Sequence, residues 1–273
     1  SNGGGATAAI NVAENSTAVT TVTSSDANGD TVTYSISGGA DSAKFTLTGA
    51  VLTFTGAPDY ETATDDGANN TYVVEVTATD DGAGTLTDTQ TITVTVNDVN
   101  EDPIITSNGG GATAAIDVAE NTTAVTTVTS SDVDGDTVTY SLSGGADQAS
   151  FGVVSATGVL TFNSAPDFET KNSYVVEVTA TDDGTGTLTD TQTITVTITD
   201  SNENPEITSN GSGATASINV AENTTAVTTV TSTDADGDTV TYSLSGGADQ
   251  ASFGVVSATG VLTFNSAPDF ETK

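Results

Sequence analysis

The chain has 273 residues, 37 of them acidic and 3 basic, for a formal charge of -34 at pH 7. Internal salt bridges cannot balance such a charge, and it excludes nucleic acid and anionic membrane surfaces as partners. The absence of His and Cys removes Ser-His and Cys-His nucleophile pairs, zinc sites with nitrogen or sulfur ligands, and any disulfide framework. The compensating positive charge must therefore come from solution. Carboxylate, amide and carbonyl oxygens are hard ligands that suit calcium, so Ca2+ is the leading counter-ion candidate. No apolar run approaches the roughly 20 residues needed to span a bilayer, and no signal-peptide pattern opens the sequence. Any export signal or anchor is expected outside this segment.

The first element, SNGGGATAAINVAEN, recurs at 107 as SNGGGATAAIDVAEN and at 209 as SNGSGATASINVAEN, which makes the chain a tandem array. The AEN glutamates Glu14, Glu120 and Glu222 are spaced by 106 and then 102 residues. Two changes account for the difference. YETATDDGANNTY in the first copy stands for the shorter FETKNSY, and FTLTGAVLTF is two residues shorter than FGVVSATGVLTF. The expected repeats are 1-102, 103-204 and 205-273.

Within each repeat, TAVTTVTS, TVTYSLS, GVLTF, YVVEVTATD and TQTITVTIT follow in order, rich in Val, Ile, Thr and Tyr and separated by Gly, Asp and Asn clusters. Their period of two predicts half-buried antiparallel strands. GGADQASF is expected to make one helical turn ahead of an inward-pointing aromatic. About seven strands in about 100 residues is the count of an immunoglobulin-like Greek-key sandwich. The expected fold is all-β, with such sandwiches joined end to end by short linkers. Val73, Val76 and Ala78 beside Ile92, Val94 and Val96, with Phe54, Tyr34 and Tyr140, are expected to supply cores. The outward threonines read as strand formers on a wet surface rather than as an ice-binding or sugar-binding array.

Two linkers, VNDVNEDP at 96-103 and ITDSNENP at 198-205, gather acids where these strands stop. Four more acidic motifs recur: the AEN glutamate, a D-x-[DN]-G-D, a P-D-[FY]-E, and an A-T-D before a glycine turn. Asp-Gly turns and solubilising charge explain one or two such clusters. They do not explain five in a constant order.

That order resembles cadherin repeats, of the kind arrayed in bacterial surface adhesins, across both full repeats and the partial third. The resemblance implies three calcium ions at each junction, held by the lower end of one repeat, the linker, and the upper end of the next. At the first junction the matching residues are Glu14, Asp59, Glu61, Asp98, Asn100, Glu101, Asp102, Asp132, Asp134 and Asp182. At the second they are Glu120, Asp167, Glu169, Asp200, Asn202, Glu203, Asn204, Asp234 and Asp236. The family linker is usually D-x-N-D-N; here Glu101 and Glu203 stand at its second acid and Asp102 at its last asparagine. The longer carboxylate still reaches an ion. Tyr60 and Phe168 take the place of a frequent arginine between the two flanking ligands. Asn28 replaces the middle acid of D-x-D in the first repeat, so the upper end of that repeat is expected to hold an ion weakly or not at all.

The resemblance implies a calcium-rigidified structural shaft of a bacterial cell-surface adhesin or extracellular filament, without catalysis. Its partners would be further repeats of the same chain or neighbouring copies in a filament. Residues 107-171 and 209-273 differ at only five positions, which suits a spacer better than a specific binding surface. Each repeat should advance the rod by roughly 40 Å. The alternative is that the repeats are themselves adhesive, by homophilic or carbohydrate contact; the lack of Trp and the scatter of the aromatics count against it. A glycosidase using paired carboxylates is disfavoured, because the acids lie at repeat ends. The sequons at Asn15, Asn69, Asn121 and Asn223 are expected to stay bare in a bacterial protein. Lys44, Lys171 and Lys273 are too few and too loop-like for isopeptide cross-links. The third repeat stops after PDFETK, before its last two strands, and the segment is expected to be a window on a longer array rather than an acceptor of donated strands.

Overall fold

The computed structural model describes residues 3-271; Lys273 lies outside them. The first repeat contains seven strands: Thr7–Ala13 (β1), Ala18–Thr21 (β2), Val32–Gly38 (β3), Phe45–Thr48 (β4), Val51–Phe54 (β5), Thr71–Asp80 (β6) and Thr87–Asn97 (β7). They form one sheet in the order β1-β7-β6-β3 and a second in the order β2-β5-β4. The next repeat adds Ile104–Ile105 (β8), Thr113–Ala119 (β9), Ala124–Thr127 (β10), Ser130–Ser131 (β11), Thr139–Gly144 (β12), Phe151–Val153 (β13), Val159–Phe162 (β14), Ser173–Thr181 (β15) and Thr189–Thr199 (β16). Its sheets β12-β15-β16-β9 and β10-β14-β13 reproduce the first pair, and β8 and β11 form a small ribbon. The fold is an all-β succession of immunoglobulin-like sandwiches, as the period-two pattern predicts.

Each sandwich has its own core. Leu52, Tyr72, Val74, Val76, Ile92, Val94 and Val96 fill the first and Leu160, Val176, Val178, Ile194, Val196 and Ile198 the second. Phe45 and Phe54 stack at 4.7 Å between ring centroids, with Tyr72 edge-on to both. The expected helical turn is the 3-10 turn Gln148–Ser150, and Phe151 directly after it is buried. Of the predicted core residues, Val73 does not belong. Val73 pairs with Thr93 on the outer face, and its neighbours Tyr72 and Val74 point inward. With a period of two, Val73 and Val76 cannot share a face.

A second correction concerns β1 and β9. Neither is among the segments read as strands, and both pair parallel to β7 and β16, where antiparallel pairing was expected. TAAINVA carries alanines and an asparagine of low strand propensity. A parallel partner 84 residues away (Thr7 against Thr91) leaves no hairpin signal nearby. This pairing decides the position of the acids, because it delivers the AEN corner to the end of the sandwich where the linker departs.

The third repeat contains Glu206–Ile207 (β17), Ala226–Thr229 (β18), Ser232–Thr233 (β19), Phe253–Val255 (β20) and Val261–Phe264 (β21), in the sheets β18-β21-β20 and β17-β19. TYSLSG at 241-246 repeats the sequence of β12, and 215-221 nearly repeats β9, yet neither is a strand here. No helix among the described residues is long and apolar enough to cross a membrane.

Candidate metal centres at the repeat junctions

Parallel pairing brings Ala13 level with Asn97, and the Glu14 amide donates to the Asn97 carbonyl at 3.0 Å. Glu14 is 3 % exposed. Its carboxylate accepts from the amides of Tyr60 at 2.7 Å and Val99 at 2.9 Å, tying the AEN corner, the P-D-Y-E loop and the linker together. Glu120 does the same one repeat later, accepting from Phe168 at 3.0 Å and Ser201 at 2.8 Å.

Around this anchor the carboxylates gather. Glu14, Glu61 and Glu101 offer oxygens that all lie within 4.8 Å of one another; so do Glu61, Asp98 and Asp134, and Asp132, Asp134 and Asp136. Shared Glu61 and Asp134 link the three groups into a chain of acids running from the base of one repeat to the top of the next. The Glu101 amide donates to Asp134 Oδ2 at 2.8 Å, and Asn100 Nδ2 donates to Asp182 Oδ2 at 3.0 Å, which seats the linker on the second repeat. A Cβ at Gly184 would collide with the side chains of Asn100 and Asp136.

At the second junction Glu120, Asp167 and Glu169 cluster in the same way. The Glu203 amide donates to Asp236 Oδ2 at 2.8 Å. Asp200 is raised by burial and by its contact with Asp236. Asn202 donates to its neighbour's carbonyl, Asp234 accepts from the Asp238 amide at 3.0 Å, and Asn204 is exposed. Asp59 accepts from the Thr62 amide of its own turn at 2.8 Å, and Asp102 lines an exposed groove with Asp132 and Asp190.

The fit to a hard cation rests on what these oxygens lack. Among the described residues, Glu101 Oε2, Asp132 Oδ2, Asp134 Oδ1, Glu203 Oε2 and Asp236 Oδ1 are buried and have no hydrogen-bond partner. Buried polar atoms are normally satisfied, and an unpaired buried anion is costly. Five orphaned carboxylate oxygens, all on residues gathered into the junctions, therefore call for a cation. An all-oxygen, carboxylate-rich donor set suits Ca2+.

Sequence reasoning left out four members of such groups: Asp136, Asp26, Asp30 and Asp80. Asp136 closes the group with Asp132 and Asp134, and Asp30 and Asp80 meet Asp26 at the top of the first repeat. The first and last acids of D-x-[DN]-G-D and the acid of A-T-D were the signals that could have found them. The Asn28 amide donates to Asp26 Oδ1 at 2.8 Å, so the residue that breaks the D-x-D pattern helps to position that aspartate.

Crowding also shifts protonation. Burial, followed by the charges of Glu14, Asp134 and Glu61, pushes the Glu101 carboxyl up from 4.5 to about 7. Burial and then Asp134 and Glu14 raise Asp98; burial and then Asp132 and Asp183 raise Asp136. A carboxyl raised on folding favours the folded junction in its protonated form. That contribution is complete below the unfolded value and is lost as pH rises through the folded one. With chelator present, the linker at 96-103 should therefore resist protease better at about pH 5.5 than at about pH 8. Saturating calcium should reverse the order, because protons and the ion compete for the same oxygens. Limited proteolysis under the four conditions checks this.

Fold and acids together describe a succession of immunoglobulin-like β-sandwiches with acid-lined junctions. Residues 114-199 match the family model of the Cadherin domain. No curated protein sequence matches the chain. Among solved structures, human CDH23 EC21-23 is similar at 22 % identity, covering 97 % of this chain and 90 % of that one with a TM-score of 0.60. Mouse cadherin-23 EC22-24 is also 22 % identical, over 97 % and 87 %, with a TM-score of 0.56. Drosophila N-cadherin EC1-4 is 18 % identical, over 97 % and 66 %, with a TM-score of 0.51. At these identities the likeness is one of fold.

Proposed function

We propose that this segment is a calcium-rigidified structural shaft of a bacterial cell-surface adhesin or extracellular filament, acting outside the cell and without catalysis. The observation that carries the reading is the set of buried, unpartnered carboxylate oxygens at both junctions. Calcium would be held at the first junction by Glu14, Glu61, Asp98, Glu101, Asp132, Asp134 and Asp136, and at the second by Glu120, Asp167, Glu169, Asp200, Glu203 and Asp236. Asp59, Asn100, Asp102, Asp182, Asn202, Asn204 and Asp234 complete the ligand sets or orient them. Bound there, the ion supplies the positive charge that the acids lack. Without it, like charges repel across each linker and the repeats 1-102, 103-204 and 205-273 move as separate units. The near-identity of 107-171 and 209-273 fits a spacer whose copies need to stack and not to recognise. Its partners are then further repeats of the same chain or neighbouring copies.

A calcium titration followed by small-angle scattering tests this. Extracellular calcium sites work at about 10⁻⁴ to 10⁻³ M, so over that range the profile should change from flexible to rigid, with an advance of roughly 40 Å per repeat. EDTA should reverse the change while the cores stay folded. Scattering and protease sensitivity at 96-103 that ignore both calcium and EDTA would overturn the reading.

A further inference from the structure

Asn15 and Asn121 directly follow the buried glutamates Glu14 and Glu120, and nothing above gives their side chains a task. Both adopt left-handed backbone, with φ of 58° and 59°. Their amides donate to Pro58 and Pro166 carbonyls at 2.9 Å. Glycine is the residue that such a corner costs least, and asparagine is the common second choice. The side chain here does more than tolerate the turn. Asn15 Nδ2 donates to Glu101 Oε1 at 2.7 Å, and Asn121 Nδ2 donates to Glu203 Oε1 at 2.7 Å. Each bond crosses from the base of a repeat to the linker leaving it.

The partner oxygens give the bond its consequence. Glu101 Oε2 and Glu203 Oε2 are among the buried oxygens without a partner. The same two residues are held at the backbone by Asp134 and Asp236. Each linker glutamate is thus fixed at its amide and at one carboxylate oxygen, and its other oxygen is left buried without a donor. A glutamate has one more rotatable bond than an aspartate, so without the asparagine its carboxylate could swing toward solvent. We infer that Asn15 and Asn121 are positioning residues, whose amides hold the linker glutamate with Oε2 turned toward the calcium. The inference rests on the calcium reading of the junctions.

The two junctions of one molecule provide the control. In the full chain, Asn15→Gly keeps the left-handed corner and removes the amide, while Asn15→Asp keeps the shape and turns the donor into an acceptor. Both should weaken calcium at the first junction by about 10-fold or more, the usual effect of losing a residue that orients a ligand. The second junction should keep its wild-type affinity. Terbium luminescence lifetimes in H2O and D2O should show an extra bound water at the first junction, and unfolding in EDTA should be unchanged. Asn121→Gly should move the loss to the second junction. Wild-type affinity and hydration in Asn15→Gly would overturn the positioning role and leave the calcium reading intact. So would weakened calcium binding with unchanged hydration and a lower unfolding temperature in EDTA, since that marks a purely structural corner. A wild-type chain that takes up no calcium or terbium would overturn both.

Discussion

Asp134→Ala is expected to strip the first junction of calcium while leaving the second loaded. Asp134 belongs to two of the three acid groups there, its Oδ2 receives the Glu101 amide, and its Oδ1 is buried without a partner. Removing it deletes a shared ligand and frees the linker from the top of the second repeat. Because calcium affinity follows the number of charged ligands and the rigidity of the site, a fall of about two orders of magnitude is expected at that junction. Calorimetric titration should show fewer bound ions. Protease in calcium should cut the linker at 96-103 and spare the one at 198-205. Asp236→Ala should give the mirror pattern, since Asp236 receives the Glu203 amide and carries the matching orphaned oxygen. Unfolding in EDTA should hardly change for either variant, because each removes a repelling charge from the end of a sandwich and nothing from a core. Equal loss at both junctions from Asp134→Ala would show that the ions are not held where these residues meet.

Glu120→Ala should behave differently, combining loss of calcium with loss of fold stability. Glu120 is 3 % exposed and accepts two backbone amides, those of Phe168 and Ser201. Truncation takes the acceptor from two part-buried amides, at about 1 kcal/mol or more each. The second repeat should then melt roughly 10 °C or more below wild type even in EDTA. Glu120→Gln retains one acceptor oxygen but sets its amide against the other donor, so a smaller loss is expected. Calcium at the second junction should vanish in Glu120→Ala and weaken in Glu120→Gln. Differential scanning calorimetry in EDTA and in calcium separates the two effects. An unchanged EDTA melt for Glu120→Ala would show that the buried glutamate is a ligand only and not part of the corner that closes the repeat.

These contrasts show which parts of the protein could be read before folding. Alternation of Thr with Val, Ile and Tyr was enough to place β6, β7, β15 and β16 and to name Phe54, Val76, Ile92, Val94 and Val96 of the first core and Tyr140 of the second, because strand parity is a local property. Val73 was misplaced only where parity was not enforced within one strand. Repetition of the AEN, P-D-[FY]-E and linker motifs was enough to pick out the acids, since each motif is a few residues long. The sequence did not show that Glu14 and Glu120 are buried anchors, that Asp136 joins Asp132 and Asp134, that Asp26, Asp30 and Asp80 form a group, or that Asn15 and Asn121 grip the linker glutamates. The corners at Glu14 and Glu120 depend on β1 and β9 lying parallel to strands more than 70 residues away, and Asp30 meets Asp80 because β3 pairs with β6.

TYSLSG makes the division plain. At 139-144 it is strand β12, paired with β15 more than 30 residues away. The sequence by itself determined the side-chain pattern of that segment, and hence the face it would bury. Whether it becomes a strand was decided by tertiary structure, because half of a strand's hydrogen-bonding groups are satisfied only by a neighbour that the segment does not encode. The junctions follow the same rule. Composition determined that the chain is starved of positive charge, and the meeting of β1, β7 and the linker decided which carboxylate oxygens end up buried together, without donors, where a divalent ion can bind them.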